Sequence, residues 1–322
     1  MLYGSWLGWQ IDYLLWLQNF RDVSHHAFDK FFIYITMFGE ITIPIMLICF
    51  IYWVINKKAG QFMFFSWMCG FITNLLLKSI GCIYRPWILD SRIHPVPEAI
   101  PAATGYSFPS GHTAGVMDTF GALAVWFWNN KFLRYLCIVI ILCVMFSRNY
   151  LGVHTPQDVI VSFVVCCLVL WGVYTSLKWV DEGQEDTRDI VFASGMILLA
   201  LLTTVFMLYK PYPVHYLFGK VLYSPMDMIH HSIMRSGVLY GGLLGWIIER
   251  RYIDFQPAVG TVLKKIIRFV LGAVCLTALS GSIKMFLAGA LPCQHICAFI
   301  QYFITGCFIT CIYPFMIKKF NI

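Results

Sequence analysis

The sequence predicts an all-α polytopic membrane bundle of about nine transmembrane helices, with an interfacial helix at its N-terminus. Three observations lead there. Of 322 residues, 59% are hydrophobic and only 12% are charged, about half the ~25% charged share of an ordinary soluble domain. Mean hydropathy is +0.73, more apolar surface than one aqueous core can hide beneath a polar shell. The apolar residues also fall in runs suited to the ~20 positions that cross ~30 Å of hydrocarbon. A soluble domain, a disordered chain and a disulfide scaffold are thereby excluded.

The elements follow in order. Residues 1–30 mix Trp6, Trp9, Tyr13 and Trp16 with Gln10, Asp12, Gln18 and Asn19, an amphipathic pattern too polar to span and suited to the membrane interface. The expected spans are about residues 31–55, 60–77, 111–129, 134–148, 158–177, 190–208, 229–248, 266–290 and 298–316. The seventh is the least regular, because its continuous apolar stretch begins only at Ser236 and must borrow residues from Ile229 onward. Within it Gly237, Gly241 and Gly245 recur every fourth residue, a spacing that lets two helix backbones approach closely. No polar linker separates domains. The chain is read as one integral membrane domain, with an interfacial segment at 1–30, a catalytic core at 31–177 and a helical extension at 178–322. The N-terminus lacks the pattern of a cleaved secretory signal and is expected to be retained.

Charge gives the orientation and removes some partners. The net charge of +7 comes from Lys and Arg scattered between apolar runs, so no basic face invites nucleic acid. With nine spans, Lys57, Lys58, Lys131, Arg134, Lys178, Arg250, Arg251, Lys264, Lys318 and their neighbours collect on one side, which the positive-inside rule makes cytoplasmic. The N-terminus is then outside and the C-terminus cytoplasmic. Most of the twelve cysteines sit in apolar runs, where a thiol behaves as a small hydrophobe. The stretch from Asp181 to Asp189 is read as a solvated acidic loop.

Three polar clusters stand at span ends on the outer side. Lys78 precedes Arg85 and Pro86; a point charge and a planar fork together suit a phosphate. Pro109, Ser110, Gly111 and His112 open the third span, where a helix start offers free N–H groups to an anion and a histidine beside that anion can donate a proton. Ser147 and Arg148 lead to His154, and Asp158 follows four residues later. If the fifth helix starts near Pro156, the carboxylate reaches one ring nitrogen, fixes the tautomer and leaves the other nitrogen free as a nucleophile.

Read together, Lys-x6-Arg-Pro, Pro-Ser-Gly-His and Ser-Arg-x5-His-x3-Asp resemble the type 2 phosphatidic acid phosphatase superfamily, over residues 78–158. The resemblance implies that Lys78, Arg85 and Arg148 bind phosphate with help from Ser110 and the Gly111 backbone. It implies that His154 attacks phosphorus, Asp158 orients it, and His112 protonates the leaving alcohol. The expected enzyme is a metal-independent phosphoric monoester hydrolase without cofactor, acting on a phosphomonoester or diphosphate through a phosphohistidine. Three cations balance the substrate's charge, and no second carboxylate-rich cluster accompanies them to hold Mg²⁺.

The expected partners are membrane lipids and a phosphorylated lipid or small phosphomonoester substrate. The expected location is a bacterial plasma membrane, with the site on the extracytoplasmic face. A lipid phosphate is favoured because Trp87, Ile88, Val96, Ile100 and Tyr106 make the 87–108 loop apolar enough to touch acyl chains or to close over a site. The alternatives are a sugar-phosphate phosphatase, since the span count resembles the glucose-6-phosphatase arrangement, a lipid phosphotransferase, and a multi-span transporter. Glu40, Asn74, Asp118 and Lys284, polar residues within spans, are read either as lining the cavity or, more commonly for such residues, as interhelical hydrogen-bonding groups. His230, His231 and Arg235 are placed by default at the interface, with contact to a head group or leaving group as the alternative, and His25, His26, His94, His215 and His295 at the surface.

Overall fold

The computed structural model describes residues 7–183, 187–213, 216–217, 220–221, 224–290 and 293–321. Trp6, His215 and the side chain of Lys284 lie outside the described residues. Among the described residues the elements are helical apart from one two-residue antiparallel pair, β1 (Tyr216–Leu217) and β2 (Lys220–Val221). The chain divides into two compact units.

The first unit takes the chain up to Pro44, then Thr73–Leu170 and Pro211–Pro225. It opens with α1 (Gly8–Val23), which buries Ile11, Leu14 and Leu17 against Ile93 and Trp87. The opposite face exposes Trp9, Trp16 and Phe20, the arrangement expected of a helix lying at a membrane surface. Gln10 ties α1 to the site: its Nε2 donates to Gln157 Oε1 at 3.3 Å and its Oε1 accepts from Gln157 N at 3.0 Å. Next, α2 (Asp29–Thr36) tightens into a 3₁₀ turn, Met37–Gly39, and α2 packs on α8 (Lys131–Tyr150). The third expected span is a short helix, α6 (Gly111–Val116), continued by a π turn (Met117–Gly121) and α7 (Ala122–Trp126). Here Gly115 and Gly39 permit a backbone contact: a Cβ on Gly115 would collide with the Gly39 carbonyl oxygen, and one on Gly39 with that of His112.

The loop between α5 (Pro86–Leu89) and α6 is built into the core. Val96, Ala99 and Ala103 pack on Tyr150, Leu151 and Val153, with Trp87 against them. Tyr106 is buried as well, and of the five apolar residues named for acyl contact only Ile100 is exposed. The apolar character of this loop therefore reflects core packing, which corrects the argument for a lipid substrate drawn from it.

The second unit comprises Ile45–Ile72, Trp171–Lys210 and Met226–Ile322. It contains α10 (Arg188–Tyr209), α11 (Pro225–Ile248), α12 (Val262–Ala290), α13 (Gln294–Cys307) and α14 (Tyr313–Phe320). Phe65, Phe192 and Trp246 meet edge to face in its core, with ring centroids 5.2–5.6 Å apart. The glycine repeat serves helix packing: Gly237, Gly241 and Gly245 on α11 face the backbone or side chains of Phe299, Phe303 and Thr310. Asp181 and Asp189 are not simply solvated. Asp181 pairs with Arg250 at 2.6 Å and Lys58 at 2.8 Å, and Asp189 with Arg251 at 2.6 Å.

Among the described residues six helices are long and apolar enough to cross a membrane: Lys57–Leu89, Lys131–Tyr150, Pro156–Glu182, Arg188–Tyr209, Val262–Ile283 and Gln294–Phe320. The bent pair Asp29–Gly39 and Thr42–Ile55, with 50° between its halves, makes a seventh if it is one span. The protein is thus an integral membrane protein, with fewer clear spans than the nine expected. With the bent pair counted as one span, two positions account for the remaining difference. The 111–126 segment is short and interrupted by its π turn, and α11 carries Asp227, His230, His231 and Arg235 in its first half.

Candidate active site

The three sequence clusters converge within the first unit. The long helix α4 (Lys57–Gly81) brings Lys78 to its last turn. Arg85 stands in extended backbone just before Pro86, the first residue of α5. Ser110 caps α6, its Oγ accepting from Thr113 N at 3.3 Å. Arg148 ends α8, and α9 (Pro156–Glu182) starts at the expected proline. Between them the chain turns at Gly152, whose φ of +74° favours glycine. The α9 start is a reciprocal cap: Thr155 N donates to Asp158 Oδ2 at 2.9 Å, and Asp158 N to Thr155 Oγ1 at 3.4 Å.

His154 sits immediately before that cap, so the same carboxylate reaches its ring. Nδ1 lies 3.2 Å from Asp158 Oδ2, and both are almost fully buried. Arg85 Nη1 lies 2.9 Å from His154 Nε2. A guanidinium can only donate, so Nε2 is the acceptor and the ring proton belongs on Nδ1, facing Asp158. Ser107 reinforces this tautomer by donating from Oγ to Asp158 Oδ2 at 2.6 Å. Asn149 Nδ2 donates to the His154 carbonyl at 2.9 Å. Burial, with Arg85, Arg148 and Lys78 nearby, holds the His154 pKa well below the ordinary imidazole value.

The cations differ in how their donors are used. Lys78 Nζ donates to the carbonyls of Tyr106 at 2.7 Å, Ser107 at 3.3 Å and Pro109 at 2.8 Å, gathering the strand of loop that leads into Ser110. Arg85 holds the carbonyls of Thr104, Gly105 and Val153 at 2.8–3.1 Å in addition to His154. Arg148, wholly buried, donates from Nη1 to Thr36 Oγ1 at 2.9 Å. Its Nε and Nη2 have no hydrogen-bond partner among the described residues. A buried guanidinium with two unfilled donors has the chemistry to receive an anion. Ser110 donates its N–H to the Asp158 carbonyl at 3.0 Å, which locks the second cluster to the third. Its hydroxyl is already engaged as the helix cap. His112 follows, with Nε2 3.7 Å from Glu40 Oε1.

Residues 59–182 match the family model described as PAP2 superfamily, and residues 233–322 match that of the PAP2 superfamily phosphatase, transmembrane extension. The chain belongs to the PAP2 superfamily. It is 28% identical over 153 residues to the undecaprenyl-diphosphatase BcrC of Bacillus subtilis, covering 46% of this chain and 75% of that one. It is 26% identical over 161 residues to an undecaprenyl-diphosphatase of Sulfolobus acidocaldarius, covering 49% and 74%. It is also 26% identical over 200 residues to the lipid A 4'-phosphatase of Porphyromonas gingivalis, covering 57% and 82%. No solved structure matches.

Several residues of this PAP2 phosphatase site were not assigned from sequence. Ser107, Thr36 and Asn149 are ordinary polar residues whose role depends on tertiary approach. Asn74, read as an interhelical group, bonds instead to the loop carbonyls of Pro109 and Ser110 at 3.4–3.5 Å. Glu40, for which cavity lining is the alternative reading, faces His112. The other singled-out histidines lie apart from these contacts: His230 meets His295 at 3.0 Å in the second unit, and His25 and His26 are exposed. Among the described residues no group of three or more His, Cys, Asp or Glu is disposed to hold a metal ion.

Proposed function

We propose that this membrane phosphatase hydrolyses a lipid phosphate in two displacements through a phosphohistidine on His154, on the extracytoplasmic face. The observation that carries the reading is the buried set of His154, Asp158, Arg85 and Arg148, with a nucleophilic nitrogen free of its proton and two guanidinium donors unfilled. Phosphate oxygens take the donors of Arg148, compete for those of Arg85, and draw on the Gly111 backbone N–H. His154 Nε2 forms a bond to phosphorus as the ester P–O bond breaks, and the leaving oxygen takes a proton from His112. Water then attacks the phosphohistidine and returns a proton to His112, while the N–P electron pair goes back to His154. Charge on the equatorial oxygens is balanced by three protein cations, Lys78 among them at longer range.

A lipid substrate is supported by the relatives, two named for undecaprenyl diphosphate and one for lipid A. The sidedness is supported by helix ends. Lys57, Lys58, Lys131 and Arg134 mark the ends of α4 and α8 opposite to Lys78 and Arg148.

The deciding experiment measures phosphate release by the purified protein across lipid and sugar phosphates. Release from lipid phosphates, blocked by vanadate and unaffected by EDTA, is expected. Turnover confined to sugar phosphates, or abolished by EDTA, overturns the reading.

A further inference from the structure

Residues 36–40 lie ahead of the matched 59–182 region yet form one wall of the site. Thr36 holds Arg148. Gly39 lies against the backbone of His112 and Gly115 so closely that neither glycine tolerates a Cβ. This fixes the position of Glu40, which follows the 3₁₀ turn in extended backbone, and sets its carboxylate 3.7 Å from His112 Nε2. That nitrogen is buried and has no hydrogen bond within ordinary range, whereas the Glu40 side chain is 38% exposed. Catalytic hydrogen bonds of this kind are often long before substrate binds.

We propose that Glu40 is a positioning residue for His112 that adapts the site to phosphomonoesters, whose leaving group is an alcohol, over diphosphates. The proposal rests on the phosphatase reading above. An alkoxide is a poor leaving group and must receive a proton as the P–O bond breaks. The departing half of a diphosphate leaves as a phosphate anion and needs no proton. A carboxylate on Nε2 stabilises the protonated ring and fixes its orientation, so Nδ1 is the nitrogen left to deliver the proton; after transfer the neutral ring keeps its Nε2 proton on Glu40. In the second step Nδ1 recovers a proton from the attacking water. The same carboxylate, partly open, repels the second phosphate of a diphosphate.

The test uses the full-length protein in detergent with three probes: dioleoyl phosphatidate, p-nitrophenyl phosphate and farnesyl diphosphate. Glu40→Gln is expected to lower kcat on phosphatidate ~10- to 100-fold, a part of the ~10²–10⁴ that a positioned acid supplies. KM is expected to change little. Activity on the aryl phosphate, whose leaving group departs as a stable anion, stays within about threefold, and the ratio of diphosphate to monoester activity rises. Glu40→Asp restores part of the phosphatidate rate. An equal loss on all three probes assigns Glu40 a merely structural role and overturns the proposal, as does no loss on any. Failure of the wild-type protein on every probe overturns the phosphatase reading itself, and the role of Glu40 with it.

Discussion

Arg85 Nη1 and His154 Nε2 are 2.9 Å apart, so the nitrogen assigned to attack phosphorus is held by a guanidinium that also grips three loop carbonyls. One side chain therefore sets both the nucleophile and the loop leading to Ser110. Lysine cannot reproduce that fork. Arg85→Lys is expected to lower kcat/KM by at least ~10²-fold, the scale on which removing one preorganised donor acts. His154→Ala is expected to abolish turnover and phosphoenzyme trapping while the protein still purifies as a folded monodisperse species. Turnover retained in His154→Ala refutes the nucleophile assignment.

The charge around His154 makes a pH prediction. Burial is the largest influence, followed by Arg85, Arg148 and Lys78, and all of them disfavour the imidazolium. The folded-state pKa is therefore lowered, and the neutral nucleophile persists on the acid side of ~6.5, the ordinary imidazole value. The acid limb of kcat/KM due to His154, after correction for ionisation of the substrate, is expected below pH 6.5. Arg148→Gln removes one repelling charge and should move that limb upward even as the rate falls. A wild-type limb above 6.5 contradicts the arrangement.

The Gly39 and Gly115 contact gives a test of positioning by backbone alone. A methyl group on Gly115 meets the Gly39 carbonyl, so α6 and the 3₁₀ turn must separate, carrying His112 and Glu40 with them. Displacements near 1 Å cost about 10²-fold in well-aligned sites. Gly115→Ala is expected to lose ~10- to 100-fold in kcat on an alkyl phosphate and to lose less on an aryl phosphate. Equal activity of the variant and the wild type on both substrates refutes this coupling.

The legible part of the molecule is the part written in local spacing. His154, Thr155 and Asp158 are neighbours along the chain, and their geometry follows from one helix start at Pro156. Lys78, Arg85 and His112 are likewise singled out by residue type at span ends, and the joint motif resemblance gives them their expected roles. What local spacing does not encode is approach between distant segments. Thr36 reaches Arg148 across 112 positions, and Glu40 reaches His112 only because two glycines let the backbones touch. Hydropathy cannot tell acyl contact from core packing in the 87–108 loop, since an apolar residue reads alike whether it meets lipid or core. The same ambiguity affected the span count, because a π turn in the third apolar run leaves composition unchanged.

Glycines in the second unit separate packing from propensity. On α11, a Cβ at Gly241 collides with the Phe303 carbonyl of α13, and one at Gly237 lies 2.7 Å from the Phe299 carbonyl. These are backbone atoms of a helix and cannot rotate away, so a substitution must push the helices apart and open gaps along the seam. In hydrocarbon such seams are held mainly by close contact, since lipid tails give apolar helix faces no reason to prefer one another. Gly195, on α10, has nothing within 4 Å of the added methyl and gains helix propensity from alanine. Gly241→Val is expected to destabilise the protein by about 1–3 kcal/mol, the range for overpacking, and to lower its thermal midpoint in detergent. Gly195→Ala is expected to be neutral or stabilising by up to ~1 kcal/mol. Similar midpoints for the two variants exclude a packing role for the glycine repeat.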